Sequence, residues 1–253
     1  MILRTTIAAL ALVCISCFTA LAAEPPSIAV GEPHPQPGKP DPLMLRYLGI
    51  NGNGAGRWSA DGRQIAFTTS WTGTAQKWVI PSEGGFPRRL TYFEDAISFC
   101  DFSPHDPNLM WLGVSSGGNE RTQLWFVNAD GSGLRELAVN DAVIHNPGDW
   151  SRDGRYISYS SNERDESYFD IYVYDTQTGD RKLVFQRDAN MSAGKFSPDG
   201  SWLTVSVNHS NVNNDMFLVE TATGRSTLLT FHEEEANFGS YNWADKSTLY
   251  LVI

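Results

Sequence analysis

Apolar and polar residues alternate in short stretches along this chain, and one phrase repeats that alternation. The phrase WSADGRQIAF at Trp58–Phe67 has an aromatic residue, a polar turn, and then alternating apolar and polar positions. A period of two predicts a β-strand with one buried face, and Asp-Gly favours a tight turn because Gly adopts positive φ without steric cost. Each phrase therefore predicts a strand, a turn and a second strand. Related phrases begin at Phe102, Trp150, Phe196 and Trp243.

A second pattern follows each of the first four phrases after a polar gap. It consists of an aromatic-rich stretch, a turn such as Asp130-Gly131 or Thr178-Gly179, and another apolar stretch. This order is typical of a β-hairpin. The four stretches are Lys77–Thr91, Leu124–Leu137, Ile171–Val184 and Met216–Thr230.

The spacing of the phrases indicates the architecture. Successive phrases start 44, 48, 46 and 47 residues apart, and two strands plus a hairpin make four antiparallel strands per repeat. Four strands in about 40–50 residues match one blade of a β-propeller. We therefore predict an all-β propeller with four complete blades and the start of a fifth, without amphipathic helices. An irregular β-sandwich whose turns resemble one another by chance is the alternative.

The N-terminal region differs in composition from the repeats. Residues 1–23 have a short basic start, an apolar run and a small-residue exit, which together predict a secretory signal peptide cleaved after Ala22 or Ala23. Lipidation at Cys17 is the alternative. We therefore expect an exported protein, periplasmic or extracellular, that is not held in the membrane after cleavage.

The predicted domains are a tether and a partial propeller. Residues 24–43 contain seven of the thirteen prolines, which predicts an extended tether, and residues 44–253 form the propeller. The sequence stops at Ile253, inside the predicted second strand of the fifth blade. Propellers close into a ring to protect their sheet edges, so we expect a fragment that aggregates through open edges when produced alone.

Charge and cysteine content exclude some classes of function. The formal net charge is −10 at pH 7 and no run of Lys or Arg interrupts the acidity, so no nucleic-acid partner is expected. Cys14 and Cys17 lie in the predicted signal peptide, which leaves Cys100 without an internal disulfide partner. Between Phe99 and Phe102, Cys100 is interpreted as a buried structural residue and not as a reactive thiol.

The sequence contains weak matches to catalytic and ligand-binding motifs. Gly113–Gly117 reads GVSSG, but no helix follows Ser115 as a hydrolase nucleophile elbow requires. The five histidines are scattered, the oxygen-rich segment Asn208–Asp215 lacks the ligand order of a calcium loop, and the glycines at 52–56 open no helix. We therefore predict no catalytic residue, no metal site and no cofactor.

One acidic run is a candidate binding site. Glu233, Glu234 and Glu235 lie just before the fifth phrase. Crowded carboxylates favour a cationic partner such as a substrate ammonium group, whereas the competing interpretation is a solvated loop.

The repeated W/F-S-x-D-G phrases resemble the propeller blades of TolB-type periplasmic proteins and of the N-terminal domains of the prolyl oligopeptidase family of serine peptidases. Two stretches, Ser160–Val184 and Leu229–Val252, are especially similar to the peptidase branch. The resemblance implies a propeller that caps a C-terminal α/β-hydrolase domain and filters or orients peptides. In dipeptidyl peptidase relatives a propeller Glu pair grips the substrate amino terminus, and Glu233–Glu235 resemble that pair in being acidic and preceding a repeat.

Two functions follow as hypotheses. The first is the non-catalytic propeller part of a secreted prolyl-oligopeptidase-like serine peptidase, whose peptide substrate is hydrolysed by a domain missing from this chain. The second is a TolB-like module that binds a protein partner. A small propeller enzyme complete in itself would need a polar site at the central channel, and no residues are assigned to one.

Overall fold

The computed structural model describes residues 53–54 and 56–252, without the side chains of residues 240 and 241. The predicted signal peptide, the tether, the start of the propeller domain at residue 44 and Gly52 lie outside the described residues. All regular structure in the described part is β-strand. None of the described residues forms a helix long and apolar enough to cross a lipid bilayer.

The strands form four four-stranded sheets and one two-stranded sheet, which we call blades 1 to 5. Blade 1 contains β1 (Arg57–Trp58), β2 (Gln64–Thr69), β3 (Gln76–Pro81) and β4 (Arg88–Arg89). Blade 2 contains β5 (Ile97–Phe102), β6 (Leu109–Val114), β7 (Gln123–Asn128) and β8 (Arg135–Ala138). Blade 3 contains β9 (His145–Trp150), β10 (Tyr156–Asp165), β11 (Tyr168–Asp175) and β12 (Arg181–Phe185). Blade 4 contains β13 (Asn190–Phe196), β14 (Trp202–Ser210), β15 (Asn213–Glu220) and β16 (Ser226–Leu228), and blade 5 contains β17 (Gly239–Trp243) and β18 (Leu249–Val252).

This architecture confirms the prediction of four complete propeller blades and the start of a fifth. Within each blade the strands pair antiparallel in chain order, as in β9 with β10, β10 with β11 and β11 with β12. Each repeat phrase begins at the last residue of the first strand of its blade, for example Trp150 in β9, and crosses the turn into the second strand. Five sheets built from consecutive strands do not match the two facing sheets of a β-sandwich.

A serine and an aspartate organise the repeat turn. In blade 3 the Ser151 hydroxyl donates to Asp153 Oδ1 at 2.6 Å and accepts the Tyr156 N–H at 2.8 Å. Asp153 Oδ1 also accepts the Arg155 N–H at 3.1 Å, and Gly154 adopts a φ of 71°. The turn therefore needs Ser, Asp and Gly at fixed positions, because each satisfies a backbone requirement that the others cannot. The same contacts recur in blades 1 and 4 at Ser59, Asp61 and Gly62 and at Ser197, Asp199 and Gly200.

The core lies between neighbouring blades, and the repeat aromatic residue packs on the preceding blade. The Trp150 ring of blade 3 lies 6.1 Å from Trp111 and 6.3 Å from Phe126 of blade 2, measured between ring centroids. Phe196 of blade 4 lies 6.4 Å from Tyr156 of blade 3. Apolar clusters of this kind fill each of the three interfaces from blade 1 to blade 4.

Blade 1 keeps one aromatic face exposed. Trp58 is 61% exposed, whereas its counterparts Phe102, Trp150 and Phe196 are buried, because no described blade precedes blade 1. We call this surface the outer face of blade 1. It comprises Trp58, Phe67, Trp71 and Trp78, and the Trp71 ring lies 5.9 Å from Phe67 and 5.4 Å from Trp78.

Candidate functional site

The antiparallel order of the strands places the connections at two ends of the described propeller. The end that we call the turn end carries the connections between the first and second and between the third and fourth strands of each blade. The linker end carries the connections between the second and third strands and the linkers from one blade to the next. Ser115 and Glu233–Glu235 therefore belong to the linker end, and the Ser-Asp-Gly turns belong to the turn end.

Side chains at the start of the third strands hold the linkers. In blade 1 the Gln76 side chain donates to the Phe93 and Asp95 carbonyls at 3.1 and 3.0 Å and accepts the Phe93 N–H at 3.1 Å. In blade 2 the Gln123 amide donates to the Val143 carbonyl at 2.9 Å and accepts the Asn140 N–H at 2.6 Å. These amides are buried, so they satisfy linker backbone groups that the blades would otherwise leave without partners.

Blades 3 and 4 hold their linkers with charged and amide groups. In blade 3, Arg164 bonds Asp170 at 2.7 Å and Asp188 of the following linker at 2.9 Å. In blade 4, Asn214 Nδ2 donates to the Phe238 carbonyl at 3.0 Å and its Oδ1 accepts the Phe238 N–H at 2.7 Å. The linker end is thus a set of fixed loops, supported by the start of the third strand in blades 1, 2 and 4 and by the end of the second strand in blade 3.

The acidic run Glu233–Glu235 lies in the linker from blade 4 to blade 5. All three residues are exposed, and none of the ion pairs among the described residues includes their carboxylates. Exposed carboxylates without an internal cation are available to an ammonium or guanidinium group of a ligand. Their assignment as a binding site stays a prediction.

The structure brings two histidines together beside this run. His209 Nε2 lies 2.8 Å from Asp215 Oδ2, and His232 Nε2 lies 3.3 Å from Asp215 Oδ1. His145 by contrast is fully buried in blade 3, and burial lowers the pKa of its imidazole to about 4, so it is neutral at pH 7. Two of the five scattered histidines, His145 and His209, lie in strands.

The GVSSG segment is a β-turn connection and not a nucleophile elbow. Gly113 and Val114 end β6, and Gly117 and Gly118 adopt φ values of 62° and 69° before β7 begins. The interpretation of Ser115 as a loop serine agrees with this geometry, since no helix follows it among the described residues. A Cβ at Gly113 would lie 2.4 Å from the Phe99 ring, so packing explains the first glycine.

An acidic cleft of about 540 Å³ opens beside Ser115 at the linker end. Asp95 Oδ2 accepts the Gly117 N–H at 2.6 Å, which joins the first linker to the connection between β6 and β7. Carboxylates and aromatic rings line the same cleft, a combination that favours organic cations. The acidic lining residues are Glu94, Asp95 and Asp141, and the aromatic ones are Phe93 and Trp125.

Charged residues line the first strands near the turn end. Arg57 Nε lies 3.2 Å from Asp101 Oδ1, and Lys195 Nζ lies 3.3 Å from Asp149 Oδ2, so ion pairs join blade 1 to blade 2 and blade 3 to blade 4. The four side chains border a cleft of about 400 Å³ together with Trp58. These four charged residues were not predicted from the sequence. A signal was present, because each of them stands directly before the aromatic residue of a repeat phrase.

The remaining candidates have structural roles. Cys100 is 1% exposed, which confirms that it is buried, and burial raises the pKa of its thiol to about 12. The oxygen-rich segment Asn208–Asp215 forms the hairpin between β14 and β15. Within the described residues, no three His, Cys, Asp or Glu side chains are arranged to hold a metal ion.

Comparisons with known proteins identify relatives of two kinds. An uncharacterized peptidase of Bacillus subtilis (strain 168), YuxL, is 28% identical over 153 residues, which are 60% of this chain and 21% of the relative. A putative TolB from Agrobacterium tumefaciens has a similar structure, with a TM-score of 0.55 and 20% identity over 72% of this chain and 63% of that one. A solved prolyl endopeptidase structure gives a TM-score of 0.60 and 15% identity over 76% of this chain and 30% of that one.

These likenesses differ in what they establish. The chain spans about a fifth of the length of YuxL. At 20% and 15% identity the two solved structures support the propeller fold alone. The family model for the N-terminal β-propeller domain of prolyl oligopeptidase matches residues 96–252, which is more than half of the chain and includes blades 2 to 4. The chain therefore belongs to the family of prolyl oligopeptidase N-terminal β-propeller domains.

Proposed function

We propose that this chain is the non-catalytic propeller of an exported serine peptidase of the prolyl oligopeptidase type. In this proposal its linker end admits or orients peptides for a hydrolase domain that lies outside the chain. Membership in the propeller family supports the peptidase assignment. The observation that carries the proposal is the concentration of carboxylates at the linker end, in the exposed run Glu233–Glu235 and in the cleft lined by Glu94, Asp95 and Asp141.

Peptide recognition by this end has a simple chemical basis. A peptide amino terminus is a cation at neutral pH, and carboxylates that lack an internal partner attract it without first breaking another ion pair. Glu233–Glu235 are exposed and free of such pairs among the described residues. The proposed substrates are therefore peptides with a free amino terminus.

Catalysis is assigned to the missing domain, and this can be tested on the chain itself. Incubation with aminoacyl and prolyl chromogenic peptides is expected to give no turnover above background, for the wild type and for Ser115→Ala alike. Turnover by the wild type that disappears in Ser115→Ala would overturn the assignment of Ser115 as a loop residue and give the chain its own activity.

Binding is tested with matched peptides. A fluorescent peptide with a free amino terminus is expected to bind more tightly than its acetylated form, and the preference is expected to disappear when Glu233, Glu234 and Glu235 are all changed to Gln. A control variant that changes the exposed residues Glu83 and Glu136 to Gln and the exposed Asp180 to Asn has the same change in net charge and is expected to keep the preference. Equal binding of the two peptides by the wild type would reject an ammonium site.

A TolB-like protein-binding module is the second candidate. The similarity to the putative TolB from Agrobacterium tumefaciens favours it, because the match covers 63% of that protein but only 30% of the prolyl endopeptidase. The gene sequence beyond codon 253 separates the two functions. Further blades followed by a hydrolase elbow and a helix support the peptidase, whereas an end to the reading frame without a hydrolase domain supports the binding module.

Export is part of the proposal and rests on residues 1–23. Expression of the full chain in a bacterial host is expected to yield a secreted or periplasmic product that begins at Ala23 or Glu24. An N-terminal sequence that starts at Met1 in a cytoplasmic product would contradict it.

A further inference from the structure

The linker from blade 4 to blade 5 contains a histidine whose two ring nitrogens both face oxygen atoms. His232 Nδ1 lies 2.6 Å from the Glu234 carbonyl oxygen, and its Nε2 lies 3.3 Å from Asp215 Oδ1. A neutral imidazole has one N–H and one lone pair, so one of its nitrogens would direct a lone pair at an oxygen. The imidazolium form has two N–H groups and is the form that suits both neighbours.

The charges around His232 also favour the cation. Asp215 of β15 faces it directly, and the other oxygen of that carboxylate contacts His209 of β14. The linker itself adds Glu233, Glu234 and Glu235. The Glu234 carbonyl above all, with the Asn214 backbone and the Asp215 carboxylate, outweighs the effect of burial and raises the pKa of His232 above its ordinary value of 6.5.

Two kinds of contact hold this linker, and they differ in their response to pH. Asn214 fixes the downstream part, because its side chain bonds both backbone groups of Phe238 and its backbone N–H donates to the Ala236 carbonyl at 3.0 Å. None of these groups titrates. His232 holds the upstream part through the contact of its Nε2 with Asp215 Oδ1. The geometry of this contact does not meet that of a hydrogen bond, so it acts as an ion pair when His232 is protonated. Blades 1 and 2 hold their linkers with the side-chain amides of Gln76 and Gln123, which lie at the start of the third strand, as Asn214 does in blade 4.

We propose that protonated His232 is a positioning residue that fixes the segment 231–235, with its three carboxylates, against blade 4, and that loss of the proton releases this segment. The direction of the pH dependence follows from the coupling between proton binding and folding. Because the folded protein holds the proton more tightly than the unfolded chain does, the stabilisation is present below the unfolded pKa and is lost as pH rises through the folded pKa. Release would let Glu233–Glu235 move, so a pH-dependent affinity for ammonium ligands is expected, and this consequence rests on the proposed function.

The protonation state is tested directly by NMR on the full chain labelled with ¹⁵N at histidine. His232 is expected to show two protonated ring nitrogens at pH 5.5 and to titrate at a higher pH than a histidine in an unfolded peptide of the same sequence. His145, which is buried and neutral, is the internal reference and is expected to stay neutral over the same range. A neutral His232 ring at pH 5.5 overturns the proposal.

Release of the segment is tested by cleavage with a Glu-specific protease at Glu233–Glu235. Rates are normalised to a synthetic peptide of residues 229–238, which removes the pH dependence of the protease. Between pH 5.5 and pH 8.5 the normalised rate is expected to rise, up to roughly tenfold for each unit by which the folded pKa exceeds the unfolded one. A normalised rate that stays constant overturns the proposal.

Variants separate the linker contact from general effects of charge. His232→Gln is expected to be cleaved rapidly at both pH values. His209→Gln removes a histidine from the same Asp215 carboxylate without touching the linker and is expected to keep the wild-type pH dependence. Equal behaviour of the two variants overturns the proposal. None of these measurements uses a peptide ligand, so failure of the ammonium site leaves their outcome unchanged.

Discussion

At the residue scale, a serine hydroxyl stabilises the repeat turn by acting as donor and acceptor at once. Ser151 is 1% exposed and joins the Asp153 carboxylate to the Tyr156 amide. Burial alone would raise the pKa of Asp153, but the Ser151 hydroxyl and the Arg155 amide outweigh it and lower that pKa. The ionised carboxylate is therefore part of the folded turn at neutral pH.

We predict that Ser151→Ala lowers the free energy of unfolding by about 1–3 kcal/mol, because a buried amide and a carboxylate lose a partner. Urea-induced unfolding at pH 7 measures the change. Ser167→Ala is the control, since Ser167 is exposed and its hydroxyl has no hydrogen bond among the described residues, and it is expected to change stability by less than about 0.5 kcal/mol. Equal losses in the two variants would contradict the role of the turn serine.

Cys100 illustrates how packing suppresses chemical reactivity. Its thiol is buried, and its pKa of about 12 leaves almost no thiolate at pH 8. We predict that iodoacetamide fails to label Cys100 in the folded chain at pH 8 and labels it fully in denaturant, as followed by mass spectrometry of the Cys100 peptide. In the Ser167→Cys variant the new, exposed thiol is expected to react in the folded state. Rapid labelling of native Cys100 would show that the site opens.

At the scale of strands and turns, glycine allows an aromatic ring to pack across a strand pair in blade 2. Gly113 of β6 lies opposite Phe99 of β5, and the Phe99 ring occupies the space that a Cβ at residue 113 would need. Phe99 in turn contacts Trp111 edge to face, with 4.7 Å between ring centroids. The first glycine of the GVSSG segment thus belongs to the packing of the blade.

We predict that Gly113→Ala lowers the free energy of unfolding by about 1–3 kcal/mol, because the added methyl group displaces the Phe99 ring. Gly239→Ala is the matched control in another strand. A Cβ at residue 239 meets nothing within 4 Å, so the change is expected to stay within about 0.5 kcal/mol. Urea-induced unfolding measures both, and a Gly113→Ala variant as stable as the control would reject the packing explanation.

The linkers between blades are all fixed in the same way. Each is held by side chains from the blade that it leaves, through amides in blades 1 and 2 and through an arginine in blade 3. Each blade thereby helps to fix where the next one starts. The blade 4 linker adds the ionisable group His232, and this difference carries the proposed pH dependence.

At the scale of the whole molecule, the same repeat position has different environments in different blades. Trp150 packs between blades 2 and 3, whereas Trp58 lies on the outer face of blade 1. A single exposed aromatic side chain is ordinary, but the exposed Trp58 and Trp71 beside the half-buried Phe67 and Trp78 form a surface that favours association with another apolar surface.

We predict that Trp150→Ala lowers the free energy of unfolding by about 3–5 kcal/mol, as is typical for loss of a buried aromatic side chain. Trp58→Ala is expected to change stability by less than about 0.5 kcal/mol and to reduce self-association of the chain. Urea-induced unfolding and sedimentation velocity measure the two effects. Equal destabilisation by both variants would contradict the difference in burial between Trp150 and Trp58. A wild-type chain that stays monomeric at high concentration would contradict association through the outer face of blade 1.

Much of the fold could be predicted because its signals are local. A strand pairs with its neighbour through the next turn, so the alternation and the Asp-Gly turns sufficed to predict four blades and part of a fifth. The candidate site was less predictable. Glu233–Glu235 were found as a run in the sequence, but the residues that support them come from β14 and β15 and leave no comparable pattern.

The sequence by itself determined the repeat, its four-stranded unit and the positions of the turns, because each depends on residues a few positions apart. The tertiary structure decided which copies of the repeat are buried and which polar side chains meet. Trp58 and Trp150 occupy the same place in the phrase, and only the stacking of blades makes one exposed and the other buried. His209 and His232 are separated along the chain and meet at Asp215 because the linker folds back onto blade 4. Contacts of this kind depend on how sheets and linkers pack, which local periodicity does not encode.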